Sequence, residues 1–230
     1  MRLSRPIAVV AFSLGSAGMP AFAAAPTDDG APPAVVAQFE VGVAPAAGQA
    51  PRRQAWLFWR EPTRVETRTA DGGELWWRDA RGSVFYQRLF HGQRRIVEYT
   101  PADLRALGTA TDWARLTHLV DPKSFGVELK RVGATTVLGR PAMRYRGRVQ
   151  GVGHDVLWLT HERIPARMRI QYDDHTVTIR LKAVHPVERS PWPRANTAAY
   201  AITDYADVGD DEADPFLRGM LNEAGLAHAH

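Results

Sequence analysis

The sequence predicts a mainly β domain of the α+β class, built on an antiparallel sheet. Three observations carry the prediction. From Gln54 onward the chain breaks into short runs rich in aromatic and β-branched residues, the types that fit a pleated, half-buried surface. Turn signals such as Asp71-Gly72-Gly73 and Ala80-Arg81-Gly82 separate the runs. In the second half the runs alternate between apolar and arginine residues, the pattern of a sheet covered on one side and wet on the other.

Ahead of the sheet, Arg2 and Arg5 precede an apolar run from Ile7 to Gly18 that is too short to stay in a bilayer as a spanning helix. The run ends at Ala21-Phe22-Ala23, the small-x-small pattern that signal peptidase accepts. Residues 1–23 therefore read as a signal peptide, the mature chain as starting near Ala24, and the protein as exported to the periplasm. The 230 residues include no cysteine for lipid attachment at the cleavage point, and no later apolar run is long enough for a transmembrane helix. Residues 24–53, dominated by Ala, Pro, Gly and Val, read as a flexible leader with one short strand over Val35 to Val41. The folded body, residues 54–230, reads as one domain, since no solenoid repeat and no second linker divides it.

The first half of that body is a meander of strands over Ala55 to Trp59, Arg64 to Thr69, Glu74 to Arg78, Val84 to Phe90 and Arg95 to Tyr99. Two helices then interrupt it, around residues 101–119. Thr100-Pro101-Ala102-Asp103 supplies a capping threonine, a proline at the first helical position and an early acid. Asp112 opens a second helix with Trp113, Leu116 and Leu119 on one stripe, and Asp121-Pro122 stops it. Strands return over Ala142 to Val149, Pro165 to Tyr172 and Thr176 to Val184. In them Met143, Tyr145 and Val149 oppose Arg144, Arg146 and Arg148, while Met168, Ile170 and Tyr172 oppose Arg167, Arg169 and Gln171. Val177, Ile179 and Leu181 oppose Arg180 and Lys182 in the same way, and Tyr172-Asp173-Asp174-His175 reads as the hairpin turn. Asp214-Pro215 opens a final helix over residues 215–224.

Composition fits an ordinary globular protein, with 45% hydrophobic and 23% charged residues. A mature chain of roughly 200 residues buries enough apolar surface to stand without disulfides in an oxidising compartment. Loss of Arg2 and Arg5 with the signal lowers the formal net charge from +4 to about +2. That small charge, together with export, argues against nucleic acid as a partner.

The run Gly133-Ala134-Thr135-Thr136-Val137-Leu138-Gly139-Arg140-Pro141-Ala142-Met143-Arg144-Tyr145, then Asp155-Val156-Leu157-Trp158-Leu159 and Ile164-Pro165-Ala166-Arg167-Met168, resembles the second half of the LolA/LolB-like periplasmic lipoprotein-carrier superfamily. The likeness covers roughly Gly133 to Val184 and is one of hairpins more than of chemistry. It implies a curved antiparallel sheet forming an unclosed half-barrel with a helical lid, an apolar cavity between them, and the insert at residues 101–119 as the lid. The tryptophan-rich first half and the acidic stretch Asp204 to Asp214 depart from the family's pattern.

Candidate cavity-lining residues follow from the strands. Trp56 and Phe58 alternate with Leu57 and Trp59, so the strand Ala55 to Trp59 is apolar on both sides and must be covered twice, by a helical lid inside and a loop or leader outside. Trp77, Tyr145, Trp158, Met168, Ile170, Ile179 and Leu181 complete the set; each is either cavity lining or plain core. The arginine face reads either as an ordinary solvated surface or as a transient contact with lipid phosphates or an acidic partner in the envelope. The acids of Asp204 to Asp214 lack the alternate spacing of a calcium loop and serve better as helix capping and solvation. No pair among His154, His161, His175, His185, His228 and His230 has strong metal-ligand spacing, and His91 reads as a core or turn histidine. No nucleophile elbow surrounds Ser83, Ser124 or Ser190, and the chain implies no cofactor and no metal. The expectation is a non-enzymatic carrier for an apolar or amphipathic ligand, a lipid or a lipidated protein. An accessory interaction protein of an envelope or redox complex with a filled core is the alternative, and a metal-binding or hydrolytic protein the third.

Overall fold

A computed structural model describes residues 31–45, 52–109, 112–209, 214 and 216. The signal peptide expected over residues 1–23, the helix expected over residues 215–224 apart from Phe216, and His228 and His230 lie outside the described residues. The strands are β1 (Val35–Pro45), β2 (Arg52–Glu61), β3 (Arg64–Arg68), β4 (Gly72–Arg78), β5 (Val84–Phe90) and β6 (Arg95–Tyr99), then β7 (Leu129–Val137), β8 (Arg140–Val149), β9 (Val152–Leu159), β10 (Ile164–Gln171), β11 (His175–Pro186) and β12 (Ala201–Asp204). Helices α1 (Pro101–Ala106) and α2 (Trp113–His118), with a 3-10 turn over Pro122–Ser124, connect β6 to β7.

All twelve strands form one unclosed sheet in the order β12-β6-β5-β4-β3-β2-β1-β11-β10-β9-β8-β7, antiparallel throughout except for the parallel pair β12 and β6. It is the mainly β half-barrel with a helical lid that the sequence and its resemblance predicted. Register shifts at Gln38/Phe39, Pro165/Arg167 and Arg131/Gly133 mark bulges, which bend strands and let a long sheet curl.

The leader reading needs correction at its second half. Val35–Pro45 is the central strand, paired along its length with β2 on one side and β11 on the other, and it joins the two meanders into one sheet. The short strand expected over Val35 to Val41 is present and runs on to Pro45, with Val35, Ala37, Phe39, Val41 and Val43 alternating; what differs is its central place in the sheet.

Cross-strand partners share a face, so the register assigns every strand residue to one of two surfaces. The inner face carries the helices and the main core, running from Val65 through Phe58, Phe39, Leu181, Ile179, Met168 and Val156 to Tyr145. The capping box expected at Thr100 is present: its hydroxyl accepts from the Asp103 amide while the Asp103 carboxylate accepts from the Thr100 amide. Asp112 caps α2, and Leu119 ends it in the left-handed conformation at φ 62°.

The outer face divides in two. Over β2 and β3 it is covered by the chain between β11 and β12, where Arg194 bridges Glu61 at 2.6 Å and Glu66 at 2.7 Å and the Pro193 carbonyl accepts from Arg68 at 3.0 Å. Arg68 in turn lies over the Trp59 ring, 5.1 Å from its centroid, and Trp59 is buried. This strap is the outer cover that a strand apolar on both sides required. Over β8 to β11 the outer face carries the arginines.

Candidate functional site

A buried arginine helps fasten the lid to the sheet. Arg60 on β2 points inward, fully buried, and all five of its N–H groups donate to backbone carbonyls. Nε and Nη2 reach Pro33 at 3.3 and 2.8 Å, Nη1 reaches Thr117 at 2.8 Å and Arg163 at 3.1 Å, and Nη2 reaches Glu162 at 2.5 Å. Thr117 lies in the last turn of α2, whose carbonyls have no partner within the helix, so the guanidinium caps the lid and ties it to the β9–β10 turn. Burial, reinforced by the nearby Arg163 charge and opposed by Glu162, lowers the Arg60 pKa to about 10, which leaves it charged at neutral pH. Glu162 is buried as well and pairs with Arg140.

Beneath the lid, eight of the nine residues expected to line a cavity share the inner face. Phe58, Trp158, Met168, Ile170, Ile179 and Leu181 are buried members of one cluster, and Trp56 and Tyr145 are half-buried against it. Phe39 stands between Trp56 and Phe58, with ring centroids 5.3 and 6.4 Å away. Phe125, just after α2, wedges between Tyr145 at 4.5 Å and Trp158 at 4.8 Å. His118 of α2 lies nearly parallel to Trp158 at 6.1 Å, and its Nδ1–H donates to the Ala114 carbonyl at 2.7 Å. Burial, helped by the Arg60 and Arg163 charges, lowers the His118 pKa, so the lid histidine favours its neutral form. Sequence reasoning missed Phe39 because its short strand was placed in a leader outside the folded body, and His118 because stacking across the fold leaves no local pattern.

Trp77 is the exception. It is opposite Arg64 on β3 and stacks on Phe85 at 5.3 Å, which puts it on the outer face, where a pocket of about 360 Å³ is lined by Thr63, Arg64, Leu75, Trp77, Arg78 and Gln87. The inward residue of the pair is Trp76, opposite Val65. It starts a ladder of rings in which Trp76 stacks on Tyr86 at 4.1 Å, Tyr86 packs on Tyr99 at 5.0 Å, and Tyr99 stacks on Tyr205 at 4.6 Å. Glu74 reaches Trp76 and Tyr86 only through long contacts of 3.5 and 3.4 Å. Although Glu74 keeps part of its surface in solvent, desolvation of the carboxyl among these rings raises its pKa.

Ser124, Ser190 and His91 make structural contacts, although His91 Nε2 is buried without a partner among the described residues. Ser124 Oγ donates to the Asp121 carbonyl at 2.7 Å and Ser190 Oγ to the Trp192 carbonyl at 2.7 Å. His91 Nδ1 lies 3.1 Å from the Tyr200 hydroxyl in the turn after β5. On the outer face Asp155 accepts from Arg144 at 3.0 and 2.5 Å and from Arg146 at 2.9 Å, which hold its carboxyl below the usual carboxylate range. Among the described residues no group of three or more His, Asp or Glu side chains is placed to hold a metal, and no helix is long and apolar enough to cross a membrane.

No family model matches the chain, and no curated protein does. Among solved structures, the chain is similar to a structure of PNGF-II at 9% identity and a TM-score of 0.42, over 77% of this chain and 33% of that one, so it spans about a third of that protein's length. It is also similar to a domain from Vibrio parahaemolyticus proposed as an outer membrane lipoprotein-sorting protein, at 8% identity and a TM-score of 0.31, over 72% of this chain and 89% of that one. A LolA superfamily protein from Nitrosomonas europaea matches at 7% identity and a TM-score of 0.30, over 70% of this chain and 88% of that one.

Proposed function

We propose that the protein binds an apolar or amphipathic ligand, a lipid or a lipidated protein, against its inner face and releases it unchanged. The observation that carries this reading is the breadth of the apolar inner face against the size of its helical cover. From β3 to β8 the face crosses seven strands, about 29 Å at ~4.8 Å per strand spacing. Helices α1 and α2 have six residues each, or about 9 Å of length apiece. Loading requires His118 of α2 and the following Phe125 to swing away from Trp158 and Tyr145. Each methylene of the ligand then enclosed contributes about 0.8 kcal/mol.

An apolar fluorescent probe is expected to bind the native protein with a saturable isotherm, and Met168→Trp to weaken binding more than stability. Absence of saturable binding in the parent protein, with Met168→Trp losing about 1–3 kcal/mol of stability to overpacking, rejects the carrier reading. The second reading, a rigid interaction platform with a filled core, is favoured by the exposures of Met168 and Ile170, only 2% and 3%. The charged start, apolar run and Ala21-Phe22-Ala23 site support a periplasmic location. Amino-terminal sequencing of the periplasmic fraction is expected to begin within a few residues of Ala24, and an intact Met1 on the folded protein refutes it.

A further inference from the structure

We propose that the half of the outer face over β8 to β11, which no described strap covers, docks on an anionic phospholipid surface. The two halves of this face treat charge differently. Over β2 and β3 the acids Glu61 and Glu66 are each met by an arginine and the strap lies on top. Over β8 to β11 the described strap is absent and positive charge is in excess. Asp155 sits in the middle of the field and is shared by Arg144, Arg146 and, at 3.9 Å, Arg167. Glu40, at one margin, faces Lys182 at 3.4 Å and Arg53 at 3.9 Å. Arg148, Arg169 and Arg180 are exposed and form no ion pair within 4 Å among the described residues, although Arg169 stands opposite Asp155 and Arg180 opposite Glu40 in the register.

The register sets like charges side by side within this field. Arg167 lies directly opposite Arg180, a like-charge cross-strand pair that Asp155, 3.9 Å from Arg167, and Glu40, opposite Arg180 on β1, offset only in part. Between the cations the strands present Gly42, Gly153 and Thr178, so the field is shallow and broad rather than grooved. Guanidinium groups bind phosphate oxygens through forked pairs of N–H donors, and a lipid leaflet offers phosphates in two dimensions, as this field offers cations. A protein partner would meet the half-buried Leu157, opposite Arg144 and Arg167, among cations and glycines, a centre poor in the projecting apolar and aromatic side chains that anchor such interfaces. With no wedge to insert, adsorption is electrostatic and weakens with salt. The docking does not depend on what occupies the inner face.

The test is flotation of the full chain with vesicles of phosphatidylglycerol in phosphatidylcholine, against phosphatidylcholine alone, at rising salt. Binding is expected to the anionic vesicles only and to fall as salt rises. Arg148→Gln, Arg169→Gln and Arg180→Gln are each expected to weaken it about fivefold, and the triple variant on the order of a hundredfold. Arg81→Gln, in the exposed turn after β4, is expected to change nothing. Asp155→Asn, which removes the negative charge at the centre of the field, is expected to tighten binding about fivefold, a gain that a merely structural arginine cluster would not give. Equal binding to both vesicle types, or a folded triple variant that floats like the parent, overturns the proposal. Binding to soluble dextran sulfate without binding to anionic vesicles also overturns it, in favour of a macromolecular polyanion.

Discussion

Replacing Arg60 with methionine tests the idea that a buried guanidinium helps fasten the lid. Methionine keeps the aliphatic reach but removes five N–H donors, leaving the carbonyls of Pro33, Thr117, Glu162 and Arg163 without them. A buried acceptor stripped of its partner costs about 1–3 kcal/mol, and some of these carbonyls recover water when the lid loosens. Relief of the desolvation that lowers the Arg60 pKa offsets part of the loss. The expected net loss is about 3–5 kcal/mol, a large share of the roughly 5–15 kcal/mol that holds an average domain together. Arg60→Lys separates charge from geometry: an ammonium keeps the charge but cannot span four carbonyls with a planar fork, so about 2 kcal/mol is expected to go. Urea unfolding gives both values, and amide exchange locates the loss, with faster exchange in α2 while β10 and β11 stay protected. A loss below about 1 kcal/mol for Arg60→Met, or a lysine variant as stable as the parent, refutes the reasoning.

Gly147→Ala should be poorly tolerated, because a Cβ there would lie 1.8 Å from the Glu128 carbonyl oxygen. Forcing β7 away from β8 is expected to cost about 3 kcal/mol, or a fall in Tm of about 6–12 °C by calorimetry, and an unchanged Tm contradicts the close approach of the two strands. His118 and His91 both have lowered pKa values, desolvation being the larger cause in each, so the unfolded chain takes up protons first as pH falls through 6.5. Stability attributable to them is present above pH 6.5 and is lost below it, by at most about 1.4 kcal/mol per pH unit for each histidine. Glu74, whose pKa is raised, acts in the opposite sense and contributes less as pH rises. His118→Gln is therefore expected to flatten the loss of stability in urea titrations between neutral and mildly acid pH, and an unchanged slope refutes its assignment to the lid histidine. Calcium is expected to leave the Tm nearly unchanged, because the acids of Asp204 to Asp214 lack loop spacing; a large saturable rise abolished by Asp210→Asn and Asp211→Asn reverses that view.

The sequence by itself determined what depends on near neighbours along the chain. Alternation in β8, β10 and β11 assigned Tyr145, Met168, Ile170, Ile179 and Leu181 to one face and the arginines to the other, because successive side chains of a strand point to opposite sides. The Thr100 capping box and the turn at Tyr172 to His175 were equally legible, being closed by bonds within four residues. Tertiary structure decided the rest. Whether Trp76 or Trp77 faces inward is fixed by the register of β3 against β4, and a shift of one residue would exchange them. The central place of Val35–Pro45 follows from pairing with β11, far away in the chain. Arg60 reads locally as one more exposed arginine at a strand end, and its burial depends on acceptors 27, 57, 102 and 103 positions away. Such contacts are set by where the strands meet, which no local period records.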